Sequence, residues 1–213
     1  MPDFTTARRL MVDDQLRARG ISDPRVLDAM LRVPRHEFVS PEHRAQAYED
    51  HPLPIGDGQT ISQPYVVALM LQALQLEPNE KVLEVGTGSG YATALLAELA
   101  VQVYSIERHD ALASSAREVL ARLGYANANV KTITGDGTLG IPALAPFDAI
   151  LVSAAAPNLP AALVAQLRES GRMIVPVGTN DSQQLQFIRI FNGRPVVSLR
   201  ELVRFVPLVH DTP

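Results

Sequence analysis

The chain has 213 residues, of which 46% are hydrophobic and 20% are charged, values typical of one globular domain with its own core. It contains no cysteine, so disulfides, thiolate nucleophiles and zinc–thiolate sites are excluded. The five histidines are scattered, which predicts no metal site, and a net charge of −4 argues against an extended nucleic-acid-binding surface. Because the sequence shows neither a long apolar run nor a secretory signal pattern, we expect a cytoplasmic protein without membrane contacts. A monomer is also expected.

Two amphipathic helices are predicted near the N-terminus. Apolar residues recur at helical spacing over residues 5–19, and Gly20 follows as a helix end. Asp23 and Pro24 are typical of the cap and first turn of a second helix. Residues 33–63 then lose any regular period and are rich in proline and glycine. An irregular stretch of this length within a compact domain is expected to be functional.

The rest of the chain alternates between strand and helix patterns, which predicts a parallel sheet covered on both faces. The predicted strands are residues 81–86, 101–107, 130–135, 147–154 and 172–177, and the predicted helices are residues 64–76, 91–99, 110–123 and 159–168. The connection 138–146 contains two prolines and is expected to hold at most a helical turn. Residues 184–191 and 196–208, joined by a turn at Asn192 and Gly193, are expected to add an antiparallel pair at the sheet edge.

The predicted fold class is therefore α/β, a doubly wound, Rossmann-like and mostly parallel sheet with an antiparallel C-terminal edge and N-terminal helices packed on it. We predict a single domain over residues 1–213. Within it, residues 1–63 carry the first helices and an active-site loop, residues 64–182 form a cofactor-binding core, and residues 183–213 form the last strands. In such sheets the ligand binds at the carboxyl ends of the strands, where the strand order reverses.

The sequence KVLEVGTGSGY at residues 81–91 joins a predicted buried strand to a helix start through a glycine-rich turn. Its loop residues, the predicted cofactor contacts, are Gly86, Thr87, Gly88, Ser89 and Gly90. The glycines stand at positions one, three and five, whereas the pyrophosphate fingerprint of NAD and FAD proteins uses positions one, three and six. This spacing favours S-adenosylmethionine, which has no phosphate, and the fold of the methyltransferases that use it. The alternative is a tight strand-to-helix connection without a ligand.

Three acidic residues near strand ends are further candidates for cofactor binding. Glu107 closes the second core strand about 20 residues after the glycine turn, the offset at which an acid reaches a ribose. Asp136, between Gly135 and Gly137, could accept a hydrogen bond from an adenine amino group. The alternative for Glu107 is an acid on the surface, and the alternative for Asp136 is an aspartate of a turn. Glu84 lies within a buried strand and needs a polar partner, for which the methionyl ammonium of the cofactor or the loop amides are candidates.

Several motifs carry a family resemblance that covers nearly the whole chain. They are VPRHEFV (33–39), LPIGDGQTISQP (53–64), VLEVGTGSGY (82–91), SIER (105–108), GDG (135–137), PFDAILVSAAAP (146–157), LVAQLRESGRMIVPVG (163–178) and RFVPL (204–208). Together they resemble the protein-L-isoaspartate O-methyltransferases, and GQTISQP with RFVPL is specific to that family. The resemblance implies methyl transfer from S-adenosylmethionine to the free α-carboxylate of isoaspartyl residues in damaged proteins and peptides. The ester then cyclises to a succinimide, whose hydrolysis returns some aspartate.

The resemblance also implies which residues form the site. Ser62 matches the family's active-site serine, and its hydroxyl could hold one carboxylate oxygen while the other attacks. A carboxylate is already ionised at neutral pH, so no general base is needed. Further cofactor contacts are expected from Gln59, Thr60, Ile61, Ser62 and Arg108, and substrate contacts from Ile61, Ser62, Gln63 and the main chain of Val206. In the alternative, Thr60 and Ser62 only bond the backbone of a rigid loop.

Three other functions stay open at this point. A small-molecule methyltransferase would share the glycine turn and the acids but would lack the GQTISQP block. A nucleic-acid adenine or glutamine-amide methyltransferase would carry an NPPY-type motif after the fourth core strand, where this chain has VSAAAP. A cofactor-binding protein without activity is disfavoured by the presence of Ser62, Glu107 and Asp136.

Overall fold

A computed structural model of the chain describes residues 3–126, 129–179 and 182–210. Its first helix, α1 (Phe4–Leu10), begins at Asp3, whose carboxylate accepts two backbone N–H groups. The helical path continues in π and 3₁₀ geometry as far as Gly20, which has the left-handed conformation that glycine favours. Helix α2 (Pro24–Arg32) begins at Asp23, which caps it in the same way. Both predicted helices are therefore confirmed.

The proline- and glycine-rich stretch contains short elements that its sequence did not predict. Two 3₁₀ turns are followed by an antiparallel hairpin of β1 (Leu53–Gly56) and β2 (Gln59–Ile61). Strands of four and three residues are too short to show a reliable period, and this is why the hairpin was not expected. Helix α3 (Pro64–Leu74) follows directly with its proline in the first turn, as predicted.

A seven-stranded sheet forms the centre of the protein. Its strands are β3 (Lys81–Val85), β4 (Gln102–Glu107), β5 (Val130–Thr134), β6 (Phe147–Val152), β7 (Leu167–Gly178), β8 (Gln183–Phe191) and β9 (Arg194–Val203). The connecting helices are α4 (Tyr91–Leu99), α5 (Asp110–Arg122) and α6 (Ala161–Val164). The strand order is β5-β4-β3-β6-β7-β8-β9, with parallel pairing from β5 to β7 and antiparallel pairing of β8 and β9 at the edge. The predicted fold class is thus confirmed.

The strand order reverses at β3, because the chain moves outward to β4 and β5 and then returns to β6 on the other side. This switch point is where doubly wound sheets bind ligands. Alternate residues of β3 contribute to different cores, since Val82 packs with the N-terminal helices and Leu83 packs on the opposite face. Both faces are thus buried. Among the described residues, no helix has the combined length and apolarity that a membrane crossing would require.

The predicted helix 159–168 is wrong in its extent, because α6 spans only four residues and the chain is already extended at Leu167. The cause is a tertiary contact at Gln166, which is buried. Its carbonyl accepts the Phe147 N–H at 2.8 Å, which starts the pairing of β7 with β6. Its side chain also bonds the connection before β6, through the Ile141 N–H and the Leu139 carbonyl. That connection holds two short 3₁₀ turns, where at most one helical turn was expected.

The last predicted strand, 196–208, also ends early. Strand β9 stops at Val203, and the chain then returns across the carboxyl end of the sheet. There the Val206 carbonyl accepts the Ala155 N–H and the Leu208 N–H donates to the Ala155 carbonyl, each at 2.8 Å. Pro207 lacks the N–H that an edge ladder needs, which agrees with the departure from strand pairing. This returning segment, residues 204–208, brings the C-terminal part of the chain to the switch point.

Candidate active site

An open cavity lies at the carboxyl ends of β3, β4 and β6, where the strand order reverses. We call it the cofactor cavity. The predicted site residues that line it are Gln59, Thr60, Ile61, Ser62, Gly86, Thr87, Gly88, Ser89, Glu107, Arg108, Gly137 and Val206. The glycine turn, the β1–β2 hairpin and the returning segment therefore meet around one space, although they are distant in sequence.

The glycine turn after β3 forms one wall of the cofactor cavity in a conformation that depends on glycine. Gly88 has a φ of +53°, in the left-handed region. A Cβ atom built on Gly88 would lie 3.2 Å from Cδ1 of Ile55 in the hairpin, so a side chain there would press against the opposite wall. The loop amides consequently approach the cavity closely.

Glu107 at the end of β4 is only 6% exposed and lines the cofactor cavity. One carboxylate oxygen accepts the Gly88 N–H at 2.8 Å, and the other accepts the His109 N–H at 3.0 Å. These bonds fix the carboxylate against the glycine turn. Each oxygen keeps a further lone pair, so Glu107 can still accept hydrogen bonds from two adjacent hydroxyl groups of a ligand. The geometry is therefore compatible with the predicted ribose contact.

Glu84 is fully buried in β3, and its hydrogen-bond partners differ from the loop amides that we considered. Its Oε2 accepts the hydroxyl of Thr93 at 2.5 Å and that of Ser105 at 2.6 Å, while Oε1 has no hydrogen-bond partner among the described residues. Ser105 in turn bonds the hydroxyl of Thr87 in the glycine turn, at 2.6 Å. Glu84 therefore supports the loop from beneath and lies outside the lining of the cofactor cavity.

Burial in this apolar strand raises the pKa of the Glu84 carboxyl to about 7, against the opposing effect of the Ser105 and Thr93 hydroxyls. A raised folded-state pKa means that the folded protein retains this proton where the unfolded chain has lost it. The stability contributed by this group is complete below pH 4.5 and is lost as the pH rises through about 7.

Replacing Glu84 by glutamine is therefore expected to remove this pH dependence. Between pH 5 and pH 8 the wild type should lose up to about 3 kcal/mol of unfolding free energy relative to the variant, because only the wild type must ionise a buried carboxyl. Urea unfolding at both pH values measures the difference. The exposed Glu118, replaced by glutamine, is the matched control. Parallel pH profiles for wild type and the Glu84 variant would contradict this expectation.

Two more predicted cofactor residues, Gly135 and Asp136, also lie outside the lining of the cofactor cavity. One oxygen of Asp136 accepts from the Thr138 N–H and hydroxyl, at 2.8 and 2.7 Å. The other lies 2.7 Å from Nδ1 of His210. Of the GDG motif, Gly137 alone lines the cavity. A contact between Asp136 and the adenine amino group thus stays a prediction. It requires that the carboxylate accept this hydrogen bond in addition to its contacts with Thr138 and His210.

Gly90, the last glycine of the turn, serves helix packing and lies outside the lining of the cofactor cavity. It precedes α4 with a φ of +89°. A Cβ atom at this position would lie 3.3 Å from side-chain atoms of Ala116 and Leu120 on α5. Glycine is therefore required here for the close approach of two helices, and a ligand contact from Gly90 stays a prediction.

The β1–β2 hairpin lies across the cofactor cavity and contacts both neighbouring loops. Ile55 packs on Gly88, and the Asp57 carboxylate at the hairpin turn lies 3.9 Å from Nδ1 of His109, just after β4. His109 and Ile55 both line the cavity, and neither was predicted. His109 could have been found from its position two residues after Glu107. Ile55 could not, because its approach to the glycine turn depends on the fold.

A second cavity, the acceptor cavity, adjoins the first. The four residues that line both are Thr60, Ser62, Ser153 and Val206. The acceptor cavity extends from them past Gln63 towards Ser182 and residues 202–205. Ser62 is half-buried in this common wall, just after β2. Ser153 was not predicted, although a polar residue that directly follows a core strand is a detectable signal.

The backbone around the acceptor cavity is held firmly. The side-chain amide of Gln63 donates to the backbone carbonyl of Asp50 at 2.9 Å, and the Phe205 N–H donates to the buried side chain of Gln183 at 2.7 Å. The Val206 carbonyl is occupied by Ala155, as described above, and this limits the main-chain groups that Val206 can offer to a bound peptide. Recognition of substrate backbone by Val206 stays a prediction.

A Rossmann-like sheet, a glycine turn at its switch point, a carboxylate on the next strand and an adjoining acceptor cavity define an S-adenosylmethionine-dependent methyltransferase. The family model described as protein-L-isoaspartate(D-aspartate) O-methyltransferase matches residues 7–212. The chain belongs to this family.

Individual relatives agree with this assignment. The chain is 55% identical to a protein-L-isoaspartate O-methyltransferase of Koribacter versatilis over 97% of this chain and 92% of the relative. It is 54% identical to one of Roseiflexus castenholzii, over 97% and 94% of the two chains. Among solved structures, a Plasmodium falciparum protein described as a protein-L-isoaspartate O-methyltransferase, in complex with S-adenosyl-L-homocysteine, superimposes with a TM-score of 0.85. It is 30% identical, over 98% of this chain and 99% of that one.

Proposed function

We propose that this protein transfers a methyl group from S-adenosylmethionine to the free α-carboxylate of L-isoaspartyl residues in damaged proteins and peptides. The observation that carries the proposal is the position of Ser62 in the wall common to the cofactor cavity and the acceptor cavity. A group held at this serine can face both cavities at once. Family membership and the names of the relatives support the same donor and acceptor.

The residues of the cofactor cavity fit S-adenosylmethionine. Glu107 presents an anchored carboxylate with free lone pairs, which suits a ribose diol, and the loop around Gly88 leaves room for close approach. The pocket is otherwise largely apolar near Val67, Met70 and Leu151, as expected for a site that excludes water. When bound, the cofactor supplies a methyl group activated by a positively charged sulfur.

The acceptor requires orientation and no deprotonation. Its carboxylate is ionised near neutral pH, so a general base would have no proton to remove. The Ser62 hydroxyl donates a hydrogen bond to one carboxylate oxygen and leaves the second oxygen free to attack. Thr60 and Ser153 bound the same opening and restrict where the carboxylate can lie. Alignment of this kind, with water excluded, accounts for a large part of the rate enhancement of transfer reactions.

The shape of the acceptor cavity favours a peptide over a small metabolite. It is an open space between the hairpin side of Ser62 and the returning segment, and it extends outward to the exposed Leu202 at the end of β9. Repair follows without further catalysis, because the methyl ester cyclises to a succinimide that hydrolyses in part to aspartate. The physiological consequence is the partial restoration of normal backbone in aged proteins.

The decisive experiment compares two synthetic peptides that differ only at one residue, isoaspartate in one and aspartate in the other. With S-adenosylmethionine carrying a labelled methyl group, we expect kcat/KM for the isoaspartyl peptide to exceed that for the aspartyl peptide by at least about 100-fold, because a displaced carboxylate cannot reach Ser62. Absent labelling would favour a small-molecule methyltransferase or an inactive binding protein. Equal labelling of both peptides would also overturn the proposal.

The remaining properties are proposed from the sequence. The net charge of −4 disfavours a nucleic-acid partner. A monomeric state, a cytoplasmic location and one domain over residues 1–213 complete the proposal. Size-exclusion chromatography coupled to light scattering tests the monomeric state directly.

A further inference from the structure

The acceptor cavity contains a single ionisable side chain among its described lining residues. This residue is Arg204, the first residue of the returning segment, and the cavity wall includes no carboxylate. The other polar lining residues are neutral, namely Thr60, Ser62, Gln63, Ser153 and Ser182. A permanently positive cavity is an unfavourable place for a cation and a favourable place for an anion.

Arg204 is available to a ligand. Its side chain is exposed, and it forms no ion pair or hydrogen bond with any residue that the structure describes. Oε1 of Glu201 accepts the Tyr65 hydroxyl at 2.8 Å and Oδ2 of Asp50 pairs with Arg19 at 2.7 Å, and neither of these carboxylates forms an ion pair with Arg204. The guanidinium can therefore bind an incoming carboxylate without first losing an internal partner.

The backbone that carries Arg204 is fixed. The neighbouring Phe205 N–H is bound to Gln183, and Val206 is bound to Ala155 beyond it. Because its backbone is fixed, the Arg204 side chain samples a limited volume. Arg204 and Ser62 both line the acceptor cavity, so one acceptor bound in it can contact both side chains.

We propose that Arg204 is the residue that selects acceptors by the negative charge of the carboxylate to be methylated. This inference rests on the proposed function and extends it to the basis of substrate recognition. The guanidinium attracts the carboxylate and binds it from the side that faces solvent, whereas Ser62 orients it for attack. Arginine suits this role because it presents several donors in a planar fork that matches a carboxylate.

The same contact distinguishes product from substrate. Transfer of the methyl group converts the carboxylate into a neutral ester, so the ion pair with Arg204 is lost in the product. The substrate is thus bound more tightly than the ester, which favours release of the ester to solution. Cyclisation to the succinimide then takes place away from the cavity.

The test removes the charge of the acceptor and the charge of residue 204 separately and measures the effect of each on peptide binding. Arg204→Gln is expected to raise KM for an isoaspartyl peptide by about three- to tenfold, with kcat changed less than about twofold. Arg204→Lys should restore most of the loss. The stable neutral probe is the matching isoasparaginyl peptide, whose α-carboxamide replaces the carboxylate. Its inhibition constant should be the same for wild type and Arg204→Gln. The exposed Arg189→Gln on β8, outside both cavities, is the control for a lost surface charge.

Salt provides a second measurement. Raising the ionic strength should increase KM of the wild type for the isoaspartyl peptide, and this increase should be smaller in Arg204→Gln. If Arg204→Gln weakens binding of the isoaspartyl and isoasparaginyl peptides equally, or leaves the binding of both unchanged, the proposed charge selection is wrong. These outcomes are separate from the failure of the proposed function, which would appear as an absence of isoaspartyl-specific methylation in the wild type itself.

Discussion

Replacing Ser62 by alanine is expected to lower kcat for an isoaspartyl peptide by about 100-fold or more, while the Kd of S-adenosylmethionine changes less than about threefold. Ser62 lies in the common wall of the two cavities, and in the proposed function its hydroxyl orients the acceptor at the point of transfer. The alanine variant keeps the backbone that lines the cofactor cavity. Loss of one donor that orients a reacting oxygen typically costs about 3 kcal/mol of transition-state stabilisation.

Single-turnover methyl transfer and calorimetric titration of the cofactor measure the two quantities independently. Ser182→Ala is the matched control, because Ser182 lines the acceptor cavity but lies outside the common wall. We expect the control to retain kcat within about twofold. A Ser62 variant with normal turnover would show that the hydroxyl only bonds the loop before α3, the alternative considered from the sequence.

Replacing Glu107 by alanine is expected to weaken S-adenosylmethionine binding by at least about 100-fold, with a comparatively small effect on the KM of the peptide. Two hydrogen bonds from ribose hydroxyls to a buried carboxylate are each worth about 1.5–3 kcal/mol. The substitution also leaves the Gly88 and His109 N–H groups without their acceptor, which loosens the glycine turn. Both effects act on the cofactor cavity and leave the acceptor cavity unchanged.

Calorimetric titration with S-adenosyl-L-homocysteine measures this loss without turnover. Glu118→Ala on the exposed face of α5 is the control for removal of one negative charge. Thermal unfolding of the unliganded variant separates a loosened loop from a failure to fold. An unchanged Kd for the Glu107 variant would remove this residue from the ribose site and leave it with the structural role that its two backbone bonds already show.

Much of the cofactor cavity could be predicted from the sequence, because its signals are local. The strand before Gly86 and the glycine turn lie within eleven consecutive residues, and Glu107 ends the next strand at the expected distance. Most ends of the parallel core strands were likewise predicted to within two residues, since buried β-strands carry continuous apolar runs. The parallel sheet and its antiparallel edge follow from these patterns.

Local patterns failed where a distant contact overrides them. Helix α6 is shorter than its sequence pattern because Gln166 pairs with Phe147 and bonds the connection before β6. Glu84 was expected to bind the methionyl ammonium of the cofactor or the amides of the glycine loop, yet its partners in the structure are the hydroxyls of Thr93 and Ser105, on the next helix and strand. Each of these outcomes depends on which elements become neighbours, and a single sequence does not record this directly.

The sequence by itself determined the class of fold, the place of the glycine turn and Glu107 as a candidate, because residue type and spacing along the chain encode these features. Ser62 became a candidate through the family resemblance of the GQTISQP block. Only the tertiary structure decided that the hairpin covers the glycine turn and that residues 204–208 return over Ala155 instead of extending β9. As a result Ser62 and Arg204, which are 142 residues apart in the sequence, line one acceptor cavity. The energy of these contacts comes from burial and hydrogen bonds that exist only after the chain has folded.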